Sequence, residues 1–111
     1  MDKKVEVAFY QESNGNEPVR KWLKGLNKEI RLIIGEDLKR VQYGWPLGMP
    51  LVRSFGNGLW EIRSTLPSKI ARVIFVIKDE KIVLIHGFIK KTEETPKQDL
   101  KLARDRVKNL E

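Results

Sequence analysis

Hydrophobic and polar positions change period twice along the chain. Residues 3–10, "KKVEVAFY", alternate and are rich in β-formers, which predicts an opening strand. "SNGN" breaks that pattern. Asn16 stands where a helix cap belongs, Pro18 is tolerated in the first turn, and Gly25 ends a helix reaching Leu23. Asn27 is placed to cap a second, longer helix. Its apolar residues Ile30, Ile33, Ile34, Leu38 and Val41 form one stripe, and Gly44 and Pro46 stop it. From Leu51 the period falls to two. "LVRSF", "LWEIRST", "KIARVIFVIK" and "KIVLIHGFIK" are separated by "GNG", "LPS" and "DE", and such short turns imply an antiparallel meander. The last segment offers Thr95 as N-cap, Pro96 at the first helical position and Gln98 at the third, a capping box. Leu100, Ala103, Val107 and Leu110 then mark one helical face. The expected fold is α+β: an antiparallel β-sheet meander with an N-terminal helical hairpin and a C-terminal helix. The helices are expected on one face of the sheet, leaving the other face for a ligand.

Composition narrows the function classes. A chain of 111 residues supports one compact domain, expected to span 1–111. No apolar run approaches the roughly 20 residues that span a bilayer, and "MDKKVEVAFY" lacks the apolar core of a signal peptide. A cytoplasmic location without membrane association is therefore expected. The absence of cysteine excludes disulfides and thiolate ligands, and with a single histidine no metal site and no cofactor are expected. The net charge of +7 is unevenly placed. Residues 51–91, the strand meander, carry eight Lys/Arg against three Asp/Glu, whereas residues 92–111 balance at five against five. A basic sheet of this kind attracts phosphates and nucleic acid.

The candidate chemistry lies on the late strands. In "LWEIRST", Glu61 and Arg63 share a face opposite the core residues Trp60 and Ile62. With a turn over Leu66–Lys69, Arg63 lies across from Arg72. Two like charges so opposed need an anion or a carboxylate between them. Glu61 could supply the carboxylate; a phosphate held by two guanidinium forks is the sharper alternative. Further on, "HGFIKK" splits by alternation. His86, Phe88 and Lys90 share one face, and Gly87, Ile89 and Lys91 the other. A two-residue "DE" loop pairs Arg72 with Gly87 and a three-residue loop pairs it with Phe88, so parity alone leaves Lys90 and Lys91 both open.

The stretches "LVRSFGNGLWEIRST", "IARVIFVI" and "IVLIHGFIKKTEETPKQDLKLARDR" resemble the RelE/HigB-like toxins of type II toxin–antitoxin systems, in their phage-related HigB-like branch. The resemblance covers most of the chain. It implies a toxin that cleaves mRNA without metal on the ribosome and so inhibits translation. Its partners would be mRNA, the ribosome and a cognate helix-turn-helix antitoxin. It further implies that Arg63 and Arg72 hold the scissile phosphate, and that Lys90, with Lys91 beside it, occupies a catalytic strand position. His86 would be the acid or base, and Arg53 and Lys69 would contact the RNA. Relatives of this kind often use a tyrosine near the C-terminus, whereas the tyrosines here are Tyr10 and Tyr43. Two rival readings remain: a ParE-like poison of a protein target such as gyrase, and a non-catalytic remnant that binds nucleic acid or an antitoxin. The nuclease reading expects Arg72→Ala to abolish toxicity with the fold intact.

Overall fold

In a computed structural model, residues 4–110 are described. The opening strand is β1 (Glu6–Phe9); Lys3, the first residue of the predicted stretch, lies outside the described residues. Two helices follow, α1 (Pro18–Lys24) and α2 (Lys28–Gly44). Proline does start α1, but Glu17 rather than Asn16 is its cap residue, and no side chain caps it. Asn27 caps α2 as expected, its side-chain oxygen accepting from the Ile30 amide at 2.9 Å. The stripe of α2 buries Ile34 and Val41 fully, while Ile33 at its margin is 37% exposed.

The meander comprises β2 (Val52–Gly56), β3 (Leu59–Thr65), β4 (Ile70–Lys78) and β5 (Lys81–Lys90), and the terminal helix is α3 (Lys97–Lys108). The sheet order is β1-β5-β4-β3-β2. Consecutive strands β2 to β5 pair antiparallel, as their short turns require. The opening strand is the exception. It pairs parallel with β5, Glu6 beside Lys81 and Phe9 beside Leu84, so the sheet is mixed rather than a pure antiparallel meander. A parallel partner needs a long crossover, and the two helices supply it. The far end of α2 is tied to the start of β1 by reciprocal bonds, Val5 amide to Gln42 carbonyl at 2.9 Å and Gln42 side chain to Val5 carbonyl at 3.0 Å.

The helices do not share one face. Beneath α1 and α2 lies a core of Val19, Ile34, Val41, Ile62, Val73, Phe75, Ile82 and Leu84. A second core holds Leu59, Ile74, Val76, Val83, Ile85, Phe88 and Ala103, with Leu100 and Val107 of α3 packed on it. The expectation of a face left wholly free is thus corrected. Both faces of β4 are apolar along Val73–Val76, and water would meet that second row unless a helix covered it. The covering helix is α3, and it stops short of the end of this face that carries the basic residues, where residues 92–95 lie over Arg63 and Arg72.

Candidate active site

Register decides which side chains meet. Arg63 and Arg72 are direct partners across β3 and β4, as the turn length predicts. Between β4 and β5 the loop has two residues, Asp79 and Glu80, both left-handed (φ 52° and 64°), with Lys78 opposite Lys81. That geometry would put Gly87 across from Arg72. A bulge changes the outcome: Phe75 pairs with Leu84 but Ile74 pairs with His86, and from there Arg72 faces Phe88. One extra residue on β5 moves every later side chain to the other face. The bulged Ile85 carbonyl accepts from Arg106 Nη1 of α3 at 2.9 Å, which holds the irregularity in place.

The bulge brings His86, Phe88 and Lys90 onto the face that carries Arg53, Glu61, Arg63 and Arg72. The opposite set is spent on packing. Gly87 lies against Trp22, whose ring atoms would stand 2.4 Å from a Cβ at that position. Only glycine lets α1 approach β5 so closely. Lys91 falls just past the strand and is exposed.

Two polar clusters occupy this face. In the first, Arg72 and Glu61 are both completely buried. Arg63 Nη1 donates to Glu61 Oε1 at 3.1 Å, and Thr95 Oγ1 donates to Glu61 Oε2 at 2.6 Å. The carboxylate alternative for the opposed arginines is therefore realised: Glu61 binds Arg63 directly and offsets the charge of Arg72. Arg72 Nη1 donates to the Glu94 carbonyl at 3.0 Å and Nη2 to the Thr92 carbonyl, while its Nε has no partner. Its ring partner is Phe88, 5.7 Å away. Burial draws the Arg72 guanidinium below its ordinary value, Glu61 opposes that, and Arg63 adds to it. The group stays charged at neutral pH. Arg63 reaches further out, donating from Nη2 to the Glu93 carbonyl and to Glu93 Oε2, each at 3.1 Å. Residues 92–95 thus form a strap over the arginine pair. Arg53 joins its outer side, 3.6 Å from Glu94.

In the second cluster His86 Nε2 lies 2.7 Å from Asp99 Oδ1, and Lys90 Nζ lies 3.4 Å from Asp99 Oδ2. Asp99 is buried in the first turn of α3, where a helix N-terminus favours an anion. Burial lowers the His86 pKa below its usual 6.5, against the upward pull of Asp99 and helped downward by Arg106 and Lys90. The imidazole is therefore neutral near pH 7. A neutral ring donating from Nε2 to the Asp99 carboxyl oxygen keeps a lone pair on Nδ1. The ring stacks on Phe88 at 5.3 Å.

Sequence reasoning missed Asp99. It also gave Thr95 the role of helix cap, but the N-cap is Pro96 and the Thr95 hydroxyl goes to Glu61. The signal for Asp99 was an acid in the first turn of a helix that follows the histidine strand. Tyr10 is buried at the opposite end of α3, its hydroxyl accepting from Asn109 at 3.2 Å, and it takes no part in the site. Beside the strap a cleft of about 420 Å³ opens at the β3–β4 turn, lined by Arg63, Lys69, Lys91 and Glu93 among others. Of the residues singled out from sequence, Arg53, Arg63, Arg72, His86 and Lys90 share one face, and Lys69 and Lys91 line the cleft at its end. Among the described residues no helix is long and apolar enough to cross a membrane, and no three His, Asp or Glu side chains cluster as metal ligands.

A family model described as Phage derived protein Gp49-like (DUF891) matches residues 21–108, a span that holds every one of these residues. That description mentions neither RelE nor HigB. No curated protein matches the chain.

Proposed function

The chain belongs to the Gp49-like family of phage-derived proteins, and on that premise we propose that it is a toxin of the toxin–antitoxin kind. We assign it metal-independent endoribonuclease activity on mRNA at the ribosome, with a cognate helix-turn-helix antitoxin as partner. The observation that carries this reading is the Asp99-oriented His86 on one sheet face with Arg63 and Lys90.

The chemistry requires three acts. The 2′-hydroxyl must lose a proton, the phosphorane must be stabilised, and the departing 5′-oxygen must gain a proton. Nδ1 of His86 takes the first proton, and the imidazolium so formed is stabilised by Asp99. Arg63, bound only by groups that a phosphate can replace on its outer side, supports the phosphorane. Arg72 lies behind it, adding positive field from the interior and holding the strap. Lys90, with its ammonium beside Asp99, donates to the leaving oxygen.

Primer extension on cellular mRNA after induced expression tests the reading. Growth arrest with new 5′ ends, both lost in a folded His86→Gln variant, is the expected outcome. Arrest with intact mRNA and DNA damage would favour a gyrase-type target, and unimpaired growth would favour a non-catalytic binder. Either result removes the nuclease reading.

A further inference from the structure

The outer face of α2 carries apolar side chains that no other element covers. Of the five large hydrophobic side chains exposed among the described residues, three lie on this helix: Leu32 at 58%, Tyr43 at 49% and Ile33 at 37%. Leu32, Glu36, Lys39 and Tyr43 follow at steps of four, three and four, so they share one stripe. That stripe faces away from the core, since Ile34 and Val41 on the opposite side are the buried residues. Gly35 lies beside it, and a Cβ there would meet nothing within 4 Å. Neither Glu36 nor Lys39 forms an ion pair with another described residue, whereas the flanking Arg40 is joined to Asp37 at 3.8 Å. The stripe thus presents two apolar ends and, between them, one free acid and one free base.

The order of residues in the stripe selects its occupant. Steps of four, three and four read the same in both directions. We infer that α2 pairs antiparallel with α2 of a second copy of this chain, in the register that sets Leu32 on Tyr43 and Glu36 on Lys39. Each contact then occurs twice across a two-fold axis, which is what a closed, self-complementary pair requires. A parallel in-register pair would set Glu36 on Glu36 and Lys39 on Lys39, so the charges themselves choose the antiparallel arrangement. Gly35 beside the seam lets the two backbones approach. The helix carries four Lys/Arg against three Asp/Glu, so this face lacks the positive excess that nucleic acid or an anionic membrane would select. Leu32 to Tyr43 spans about 16 Å of helix. Such a seam buries less than the roughly 1,200 Å² at which standard interfaces begin, which places the pair in the weak, exchanging class. The cores beneath α2 and α3 lie on opposite sheet faces, so pairing through α2 leaves both basic faces open. The inference is independent of the nuclease reading.

Sedimentation velocity of the full chain at low salt, from micromolar to millimolar concentration, reads the association. A reversible monomer–dimer equilibrium is expected. Glu36→Lys replaces two opposite-charge pairs across the axis with two like-charge pairs, and should weaken association about tenfold. Lys39→Glu should do the same with the signs reversed. An equimolar mixture of these two variants restores both opposite-charge pairs and should associate as the parent does. Leu32→Ser should weaken association in either background. Glu36, Lys39 and Leu32 are all exposed, so circular dichroism should show the fold unchanged in each variant. A chain that stays monomeric at millimolar concentration would overturn the inference and leave this face to a different partner. Dimers unaltered by Glu36→Lys and Leu32→Ser would overturn it by placing the contact elsewhere. A mixture no tighter than the single variants would remove the proposed register.

Discussion

Replacing Arg72 should unfold the protein before it informs on catalysis. Its side chain is fully buried, and so is Glu61, whose charge it helps to offset. Arg72→Met keeps bulk and removes both the charge and the bonds to the carbonyls of Thr92 and Glu94. Breaking a buried ionic arrangement from one side costs about 3–5 kcal/mol. Two charge-assisted hydrogen bonds at about 1.5–3 kcal/mol each give a comparable figure. For a domain near 100 residues each kcal/mol lowers Tm by about 4 °C, so a fall of about 12–20 °C is expected. Thermal circular dichroism reads it directly. Arg72→Lys, which retains charge but not the fork, should recover part of the loss. A Met variant melting within about 3 °C of the parent would show that the strap is held by other contacts and that the arginine is free to serve a ligand. Loss of toxicity in Arg72→Ala is therefore expected to report lost stability before it reports on catalysis.

Gly87→Ala drives a methyl into the Trp22 ring, 2.4 Å away. Overpacking of this kind costs about 1–3 kcal/mol, measurable by urea denaturation, and Trp22→Leu in the same chain should relieve much of it. His86 supplies a pH signature. Because its folded pKa lies below the unfolded 6.5, the unfolded state binds the proton more readily. Stability is thus complete above pH 6.5 and declines as pH falls through the folded value. His86→Gln should flatten that part of the stability–pH curve, and an unchanged slope between pH 6.5 and 5 would contradict the assigned burial effect.

Local signals carried much of this structure. Asn27 capping α2, the glycines of the "GNG" turn with φ of 81° and 77°, and the opposition of Arg63 and Arg72 all follow from short-range chemistry that a sequence displays. What escaped depends on distant partners. The parity of "HGFIKK" turns on the bulge at Ile85, which an arginine twenty-one residues later stabilises. The place of α3 on the second face follows from β4 being apolar on both sides, which alternation masks. Thr95 has a good capping sequence, but a buried carboxylate thirty-four residues earlier competes for its hydroxyl and wins. Nothing local marks Asp99 beyond its place in the first turn of α3; only the fold sets it against His86.

The parallel pairing of β1 with β5 has a consequence for how the molecule assembles. Glu6 and Lys81 are partners about 75 positions apart, while β4 and β5 are joined by a two-residue loop. Closing the longer span costs roughly 4 kcal/mol of chain entropy before any contact repays it. The β3–β4–β5 hairpins that place Arg63, Arg72, His86 and Lys90 need no such closure. The basic face can therefore take shape early, with the edge strand docking afterwards as the step that locks the crossover helices down.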